Sequence, residues 1–285
     1  MLAQTSRLAG QLQLTIAQRQ GRSVATAQYH QGALRILRPH YLDHGSQVTY
    51  TLINPGGAYF GADRYQLSLK VETAAALGLT TQSATKVYKT PQGPAVQEME
   101  VDLACDSAFE YLPDQLIVYR GGSYRQQTRV RMRPSSCLTL AEVITPGWSP
   151  QGQEFAYRAI SARTEILVLD EAGKERRLAL DQIRLHPAAG TSLQSLGLLE
   201  NYSHTGQLFF AAAAVDQSLI DQLRQLLEEP DTYSGLSTTL SVAGVQGITV
   251  RTLGQTTEAV VRVQHRLINC FRAKTRGLGQ LNVRK

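Results

Sequence analysis

The stretch RYQLSLKVE, residues 64–72, alternates apolar and polar side chains. Its apolar members fall on one face, which is the period-two pattern of a half-buried β-strand: Tyr65, Leu67, Leu69 and Val71. The same pattern continues in both directions along the chain, in QLQLTIAQ (11–18), EMEVDLA (98–104), YRQQTRVRM (124–132), CLTLAEVIT (137–145) and TEILVLD (164–170). The first two-thirds of the chain is therefore predicted to consist of successive strands.

Turn-forming residues separate these strands at short intervals. They occur in NPGG (54–57), QGP (92–94), RGG (120–122), RPSS (133–136) and TPGWSPQG (145–152). Gly and Pro supply tight turn geometry, so the pattern is that of many short strands with a turn every ten or so residues. Such a pattern indicates a sandwich, a barrel or a stacked β-solenoid. No clean sequence repeat selects the solenoid from these three.

Two helices are predicted in the last third of the chain. The segment VDQSLIDQLRQLLEEP (215–230) has apolar residues at helical spacing, with Asp216 or Ser218 as N-cap and Pro230 at its end. The segment TTEAVVRVQHRLINCFRAKTRG (256–277) has a similar apolar stripe and ends at Gly277. No low-complexity linker interrupts the chain, so residues 1–285 are predicted to form a single domain.

Composition excludes several classes of protein. The 285 residues carry a net charge of +6, which allows an acidic partner, but no nucleic-acid reader motif accompanies it. The longest apolar run, LFFAAAAV, is too short to span a bilayer, and the N-terminal residues lack a signal core. We therefore expect a cytoplasmic protein that binds neither nucleic acid nor membrane. One alternative is a basic β-type binding module for an acidic polymer, based on this charge and on the strand face of Arg125, Arg129 and Arg131.

Metal and nucleotide motifs are absent from the sequence. The three cysteines are widely spaced and form no C-x-x-C pair, and the six histidines form no H-E-x-x-H motif. His40 and His44 are four residues apart, but the nearby Pro39 and Gly45 predict a turn rather than a helix. No stable metal site and no nucleotide-binding fold are predicted.

The stretch TTQSATKVYKT (80–90) contains the spacing S-x-x-K at Ser83 and Lys86. In some serine hydrolases this spacing places the nucleophile one helical turn from the lysine that activates it. Here the neighbours are threonines and β-formers, and on a strand positions i and i+3 face opposite sides. The companion motifs S-D-N and K-T-G are also missing. A serine hydrolase built on Ser83 and Lys86 is retained only as an alternative.

Carboxylates occupy positions where strand alternation predicts burial. Glu142 shares a strand face with Leu138, Leu140 and Ile144, and a buried carboxylate costs several kcal/mol unless it is paired or solvated. In SAFEYLPDQLIVYR (107–120), Glu110 lies on the same face as Ala108 and Leu112, with Asp114 close by. One interpretation is that these acids pair with arginines such as Arg120 or Arg158. The other is that they line a wet internal path for a divalent cation.

Four ordered blocks resemble a known family. They are LINPGGAYFGADRY (52–65), TTQSATKVYKTPQGPAVQ (80–97), EYLPDQLIVYRGGSYRQ (110–126) and ITPGWSPQGQEF (144–155). Their order and spacing over nearly the whole chain are similar to those of the urease accessory protein family UreD, also called UreH. SARTEI (161–166), DQIRLHP (181–187) and YSHTGQLFF (202–210) extend the resemblance.

The resemblance implies a function and a fold. Members of this family are not enzymes; they help to insert nickel into apo-urease. They dock on urease and bind UreF, which recruits UreG, the GTPase that carries the nickel. The family fold is a mainly β, β-helix-like stack of sheets with two helices. No tightly bound cofactor is expected, and Ni²⁺ would be present only in transit.

The resemblance also implies an internal nickel channel. Carried over by position, the residues expected to line it are Thr81, Ser83, Asp114, Glu142 and Glu110. Their hydroxyl and carboxylate oxygens would serve as weak ligands beside a water path, and not as nucleophiles. We interpret Lys86, Tyr88 and Arg120 as structural partners of these acids.

Overall fold

A computed structural model describes residues 8–42, 45–187 and 192–281. In chain order the strands are β1 (Gly10–Arg19), β2 (Arg22–Gly32), β3 (Arg35–Ile36), β4 (Val48–Ile53), β5 (Arg64–Val71), β6 (Ala76–Thr81), β7 (Thr85–Val87), β8 (Ala95–Leu103), β9 (Ala108–Leu112), β10 (Leu116–Val118), β11 (Ser123–Met132), β12 (Cys137–Ile144), β13 (Ala159–Leu169), β14 (Glu175–Leu185), β15 (His204–Ala212), β16 (Thr232–Thr238) and β17 (Gln246–Gly254). Two helices accompany them, α1 (Gln217–Gln225) and α2 (Thr257–Arg276).

The strands stack in two facing sheets. The first has the order β14-β13-β11-β8-β5-β1-β2, and the second has the order β16-β17-β15-β12-β9-β6-β4-β3. Within the first sheet β1, β5, β8, β11 and β13 are parallel, as are β4, β6, β9 and β12 within the second. The chain passes repeatedly from the first sheet to the second and so forms a β-solenoid of about four turns. The predicted mainly β class with stacked sheets and two helices is confirmed.

Short turns link β5, β8 and β11 of the first sheet to β6, β9 and β12 of the second. The amide of Ala104, at the end of β8, donates to the carbonyl of Val71, at the end of β5, and Arg133 in turn donates to Leu103. Each turn is thus hydrogen-bonded to the turn of the preceding coil. Backbone groups at the corners are satisfied by this stacking, as burial requires.

A third, shorter side closes the coils. There β7 and β10 pair in parallel, and isolated bridges add Tyr59 to β7 and join Tyr119 to Trp148. Tyr59 points inward and is buried, whereas the next residue, Phe60, is exposed. The alternation predicted from the sequence therefore extends to this side of the solenoid.

The core lies between the two sheets. Every apolar residue of the RYQLSLKVE stretch is buried there: Tyr65, Leu67, Leu69 and Val71. Their polar neighbours on β5 are partly or fully exposed. Burial of this face, at about 25 cal/mol per Å² of apolar surface, is the driving force for coil formation.

The two helices cover the outer face of the second sheet. Helix α1 begins at the N-cap Asp216, and α2 begins at the N-cap Thr256, whose hydroxyl accepts from the amide of Ala259 at 3.1 Å. Helix α2 ends at Gly277, which has φ +62°, a left-handed conformation that favours glycine. A second apolar cluster joins both helices to β12, β15 and β17. Neither helix has the length and apolar content needed to cross a membrane.

Candidate functional site

Polar side chains form a ladder along one edge of the solenoid interior, near the starts of its strands. Tyr65 on β5, Gln97 on β8 and Gln126 on β11 are adjacent in the parallel register and face the second sheet. Deeper positions of the same strands carry only apolar residues or threonine. The free-energy cost of placing water or an ion inside the coils is therefore lowest at this polar edge.

Two adjoining cavities lie beside the ladder. The first, of about 40 Å³, is bordered by Tyr59 and by residues of the loops before β5 and β7. The second, of about 30 Å³, is bordered by Tyr124, Gln126 and residues of β12. Thr85, Gln97 and Tyr111 line both. A cavity of roughly 15 Å³ already holds one water, so each of these can hold ordered water.

Four of the five residues predicted to line a channel border these cavities. Thr81 and Ser83 line the first cavity, and Asp114 and Glu142 line the second. Lys86, predicted as a structural partner, also lines the first. The structure therefore brings together oxygen-bearing side chains that are up to 61 positions apart in the sequence, Thr81 and Glu142 being the two most distant.

Thr81 in the first cavity and Asp114 in the second are joined by hydrogen bonds. The Thr81 hydroxyl donates to Asp114 Oδ2 at 3.2 Å, and the backbone amide of Asp114 donates to Thr81 Oγ1 at 2.8 Å. Thr81 is the last residue of β6, and Asp114 follows β9 in the next coil. Coil stacking therefore sets the position of both oxygens.

Glu142 is the carboxyl group of the second cavity whose pKa is raised. Burial raises the pKa of its carboxyl to about 7; the Gln126 amide, which donates to Oε1, opposes the rise, and the charge of Asp181 adds to it. No cation lies within ion-pair distance of Glu142 in the parts of the chain that the structure describes. The carboxyl is thus poised to exchange a proton near neutral pH.

Tyrosine hydroxyls and glutamine amides complete the walls. Tyr59 donates to Gln97 Oε1 at 2.8 Å, and Tyr124 donates to Gln126 Oε1 at 3.0 Å. Burial raises the pKa of Tyr59, Tyr111 and Tyr124, so all three hydroxyls are neutral donors at physiological pH. The tyrosines and glutamines therefore make the walls polar without adding charge to that of Lys86, Asp114 and Glu142.

Glu110 lies elsewhere. It is 3% exposed, but it points away from Tyr111 and towards α2. Its carboxylate accepts from Gln47 at 2.8 Å and from Arg276 at 3.1 Å, and it forms a buried ion pair with Arg272. The two cavities have other linings. Strand alternation shows which residues share a face of the strand, but not what that face contacts. It therefore could not predict that Glu110 lies under a helix.

The other predicted pairings are replaced by different contacts. The interpretation that the acids pair with arginines holds for Glu110, but the arginines are Arg272 and Arg276 of α2, and not Arg120 or Arg158. The guanidinium of Arg120 instead donates to Gln151 Oε1 at 2.9 Å. The ring of Tyr88 is exposed and contacts the rings of Phe60 and Tyr119, with centroids 5.5 Å and 4.6 Å away.

The S-x-x-K spacing does not form a helical pair. Ser83 lies in an exposed bend, and Lys86 lies on β7. The geometry that lets a lysine activate a serine one helical turn away is therefore absent at this site.

Gln97, Gln126 and Tyr111 are among the lining residues that were not identified from the sequence. A signal for the glutamines exists, since each occupies an inward position of its strand, between apolar residues or threonine. Neither cavity is lined by His or Cys among the described residues, so the potential metal ligands there are oxygen atoms. The described ranges contain no group of three or more His, Cys, Asp or Glu side chains that could hold a metal ion.

Comparison with known proteins identifies the family. The model of the family described as "UreD urease accessory protein" matches residues 8–284. Proteins named urease accessory protein UreD are similar along almost their whole length. That of Kocuria rhizophila is 44% identical, covering 97% of this chain and 89% of the relative, and that of Paenarthrobacter aurescens is 46% identical, covering 97% and 94%. That of Arthrobacter sp. is 45% identical, covering 100% and 96%. The chain therefore belongs to the UreD urease accessory protein family.

Proposed function

We propose that this chain acts in urease maturation as a scaffold that helps to insert nickel into apo-urease and conducts Ni²⁺ through the solenoid. A role in urease maturation follows from the family. The observation that supports the conduit is the convergence of Thr81, Ser83, Asp114 and Glu142 on two adjoining cavities. The protein itself catalyses no reaction in this proposal.

The donor set suits a passing cation better than a resident one. Ni²⁺ accepts carboxylate, hydroxyl and water oxygens, but imidazole and thiolate bind it more tightly. Sparse oxygen ligands therefore release the ion readily. Glu142 can hold either a proton or a cation, since its pKa of about 7 lies near physiological pH.

Passage between the cavities requires a local rearrangement. Gln97 and Tyr111 line both cavities and form the boundary between them. Both side chains are uncharged, so their movement displaces no charge within the protein interior.

The partners in this proposal are UreF, UreG and apo-urease. UreF would bind this chain and recruit the GTPase UreG, and apo-urease would receive the ion in the cytoplasm. The support for these partners is the family membership together with the resemblance of the four sequence blocks.

Nickel loading in the complete system tests the conduit. This chain would be co-expressed with UreF, UreG and apo-urease from one source, and the nickel content and urea hydrolysis of the purified urease would be measured. Glu142→Gln removes one anion from the second cavity and should lower both values while co-purification with UreF persists. The matched control is Glu171→Gln, which neutralises an exposed carboxylate in the turn between β13 and β14.

Each outcome has a separate meaning. Reduced nickel content for Glu142→Gln alone supports the conduit. Full nickel content in that variant contradicts it. If urease is fully loaded when this chain is omitted altogether, the wider role in nickel insertion is wrong.

A further inference from the structure

The outer face of the first sheet carries two kinds of basic surface. Towards the ends of β11 and β13, arginines alternate with acids. Arg129 pairs with Glu175 at 3.1 Å, and Arg131 pairs with Asp102 at 3.2 Å and with Glu175 at 3.1 Å. Two of the three arginines that suggested a basic strand are therefore neutralised within the fold.

The opposite end of the same face is different. There an open groove of about 550 Å³ crosses the starts of β11 and β13 and the end of β14. Its cationic lining residues are Arg125, Arg163 and Arg184, and its uncharged polar lining residues include Ser123, Ser161, Gln127 and Gln182. No acidic side chain is among the residues described as lining it. We call this surface the arginine groove.

Strand register holds the arginine groove in shape. Arg125 lies opposite Ser161, which lies opposite Arg184, so these three residues form one row across neighbouring strands. Arg163 lies in the next row, between Gln127 and Gln182. Neighbouring strands are about 4.8 Å apart, so the Cα atoms of Arg125 and Arg184 are about 10 Å apart.

Nearby acids are engaged away from the groove. Glu98 pairs with Arg64 at 3.1 Å, and Asp181 pairs with Arg251. Glu165 approaches Arg163 only at 3.9 Å and pairs more closely with Arg177, at 2.8 Å. Arg125 and Arg184 form no ion pair with any residue that the structure describes, although arginines a few residues further along β11 are paired.

We propose that the arginine groove binds an acidic segment of a partner protein. Guanidinium groups bind carboxylates in bidentate geometry, and hydroxyl and amide donors between them can satisfy the remaining oxygens. A segment with carboxylates spaced along an extended backbone matches a row of cations that crosses the strands. The acid-free lining attracts such a segment and repels basic ones.

Nucleic acid is a poorer match to the same surface. Proteins that bind single strands add exposed aromatic rings on which bases stack. The aromatic residue lining the groove is Tyr124, which is 2% exposed and offers no free ring face. An acidic peptide needs no such platform.

Binding of synthetic hexaglutamate to the full-length chain tests the proposal. The probe would be fluorescently labelled and titrated at low and at high salt, beside hexaglutamine and an oligothymidylate of equal charge. We expect hexaglutamate to bind more tightly than both, with an affinity that falls as salt rises. The triple variant Arg125→Ala, Arg163→Ala, Arg184→Ala should weaken this binding by about tenfold or more, because three charge-assisted contacts are lost.

A matched triple variant distinguishes binding at the arginine groove from attraction by the overall positive charge of the protein. Arg19→Ala, Arg38→Ala, Arg224→Ala removes the same number of positive charges from exposed positions outside the groove. It should leave the affinity for hexaglutamate within about twofold of the wild type, since screened charges at a distance contribute little. Circular dichroism of both triple variants checks that they fold.

Three results would overturn the proposal. They are equal losses of affinity in the two folded triple variants, equal binding of hexaglutamate and hexaglutamine, and tighter binding of the oligothymidylate at the groove. None of these measurements involves nickel or urease, so they are independent of the conduit.

Discussion

Replacing Glu142 with glutamine should stabilise this protein at neutral and alkaline pH. Burial raises the pKa of the carboxyl from 4.5 to about 7, so the folded protein holds this proton more tightly than the unfolded chain does. The wild type is therefore most stable below about pH 4.5 with respect to this group, and it loses stability as the pH rises towards 7. At about 1.4 kcal/mol per pKa unit, the loss amounts to about 3 kcal/mol.

Glutamine avoids this loss because it cannot ionise, and its carbonyl can still accept from the Gln126 amide. Urea denaturation at a series of pH values measures the free energy of unfolding directly. We expect equal stabilities near pH 4 and an advantage of about 3 kcal/mol for Glu142→Gln near pH 8. The exposed control Glu171→Gln should show no such pH-dependent difference.

Two results would refute this reasoning. A variant that is no more stable than the wild type near pH 8 would mean that the carboxylate is compensated in the folded protein. A difference that does not change between pH 4 and pH 8 would mean that packing, and not ionisation, separates the two proteins.

Two further predictions concern the attachment of α2 to the solenoid. Glu110→Ala should leave the buried Arg272 without its carboxylate and destabilise the protein by roughly 3–5 kcal/mol in urea denaturation; a loss below about 1 kcal/mol would show that water replaces the pair. Gly206→Ala should cost roughly 1–3 kcal/mol, because the added methyl group would overlap Val260 of α2 and approach Gln264 Nε2 to 3.0 Å. A melting temperature equal to that of the wild type would show that the helix shifts without cost.

Strand and helix positions were largely predictable from the sequence. Alternation located β1, β5, β8, β11, β12 and β13, and the caps Asp216 and Gly277 marked one end of each helix. Strands with less regular patterns were not identified. The pairing of β13 with β14 shifts register at Ile166/Leu167, and β2 is exposed along much of its length.

The solenoid itself could not be selected from the sequence without the family resemblance. Coil stacking depends on pairings between strands about 30 residues apart, such as Leu67 with Met99, and no repeated motif marks these positions. The second sheet adds a further ambiguity. One of its faces meets the first sheet and the other meets α2, so side chains on both faces of β9 and β12 are buried.

This two-sided burial explains why Glu142 and Glu110 were grouped together although they serve different purposes. Both lie in the second sheet, on the adjacent strands β12 and β9, and alternation predicted that each would face the interior. Glu142 faces the first sheet and the cavities, whereas Glu110 faces the helix. The choice between the two faces depends on where α2 packs, and that contact joins residues 162 positions apart.

The contrast between these two carboxylates is the strongest physical argument that Glu142 has a function beyond folding. Glu110 is compensated by two arginines and an amide, as a structural carboxylate in a dry environment must be. Glu142 has one amide donor and a nearby like charge, and burial raises its pKa to about 7, which corresponds to the expected cost of about 3 kcal/mol for its ionised form. Leucine or methionine at this inward position would remove that cost. A carboxyl group with a raised pKa and no cation partner beside a water-sized cavity is what the proposed conduit requires, since such a group can exchange its proton for a cation.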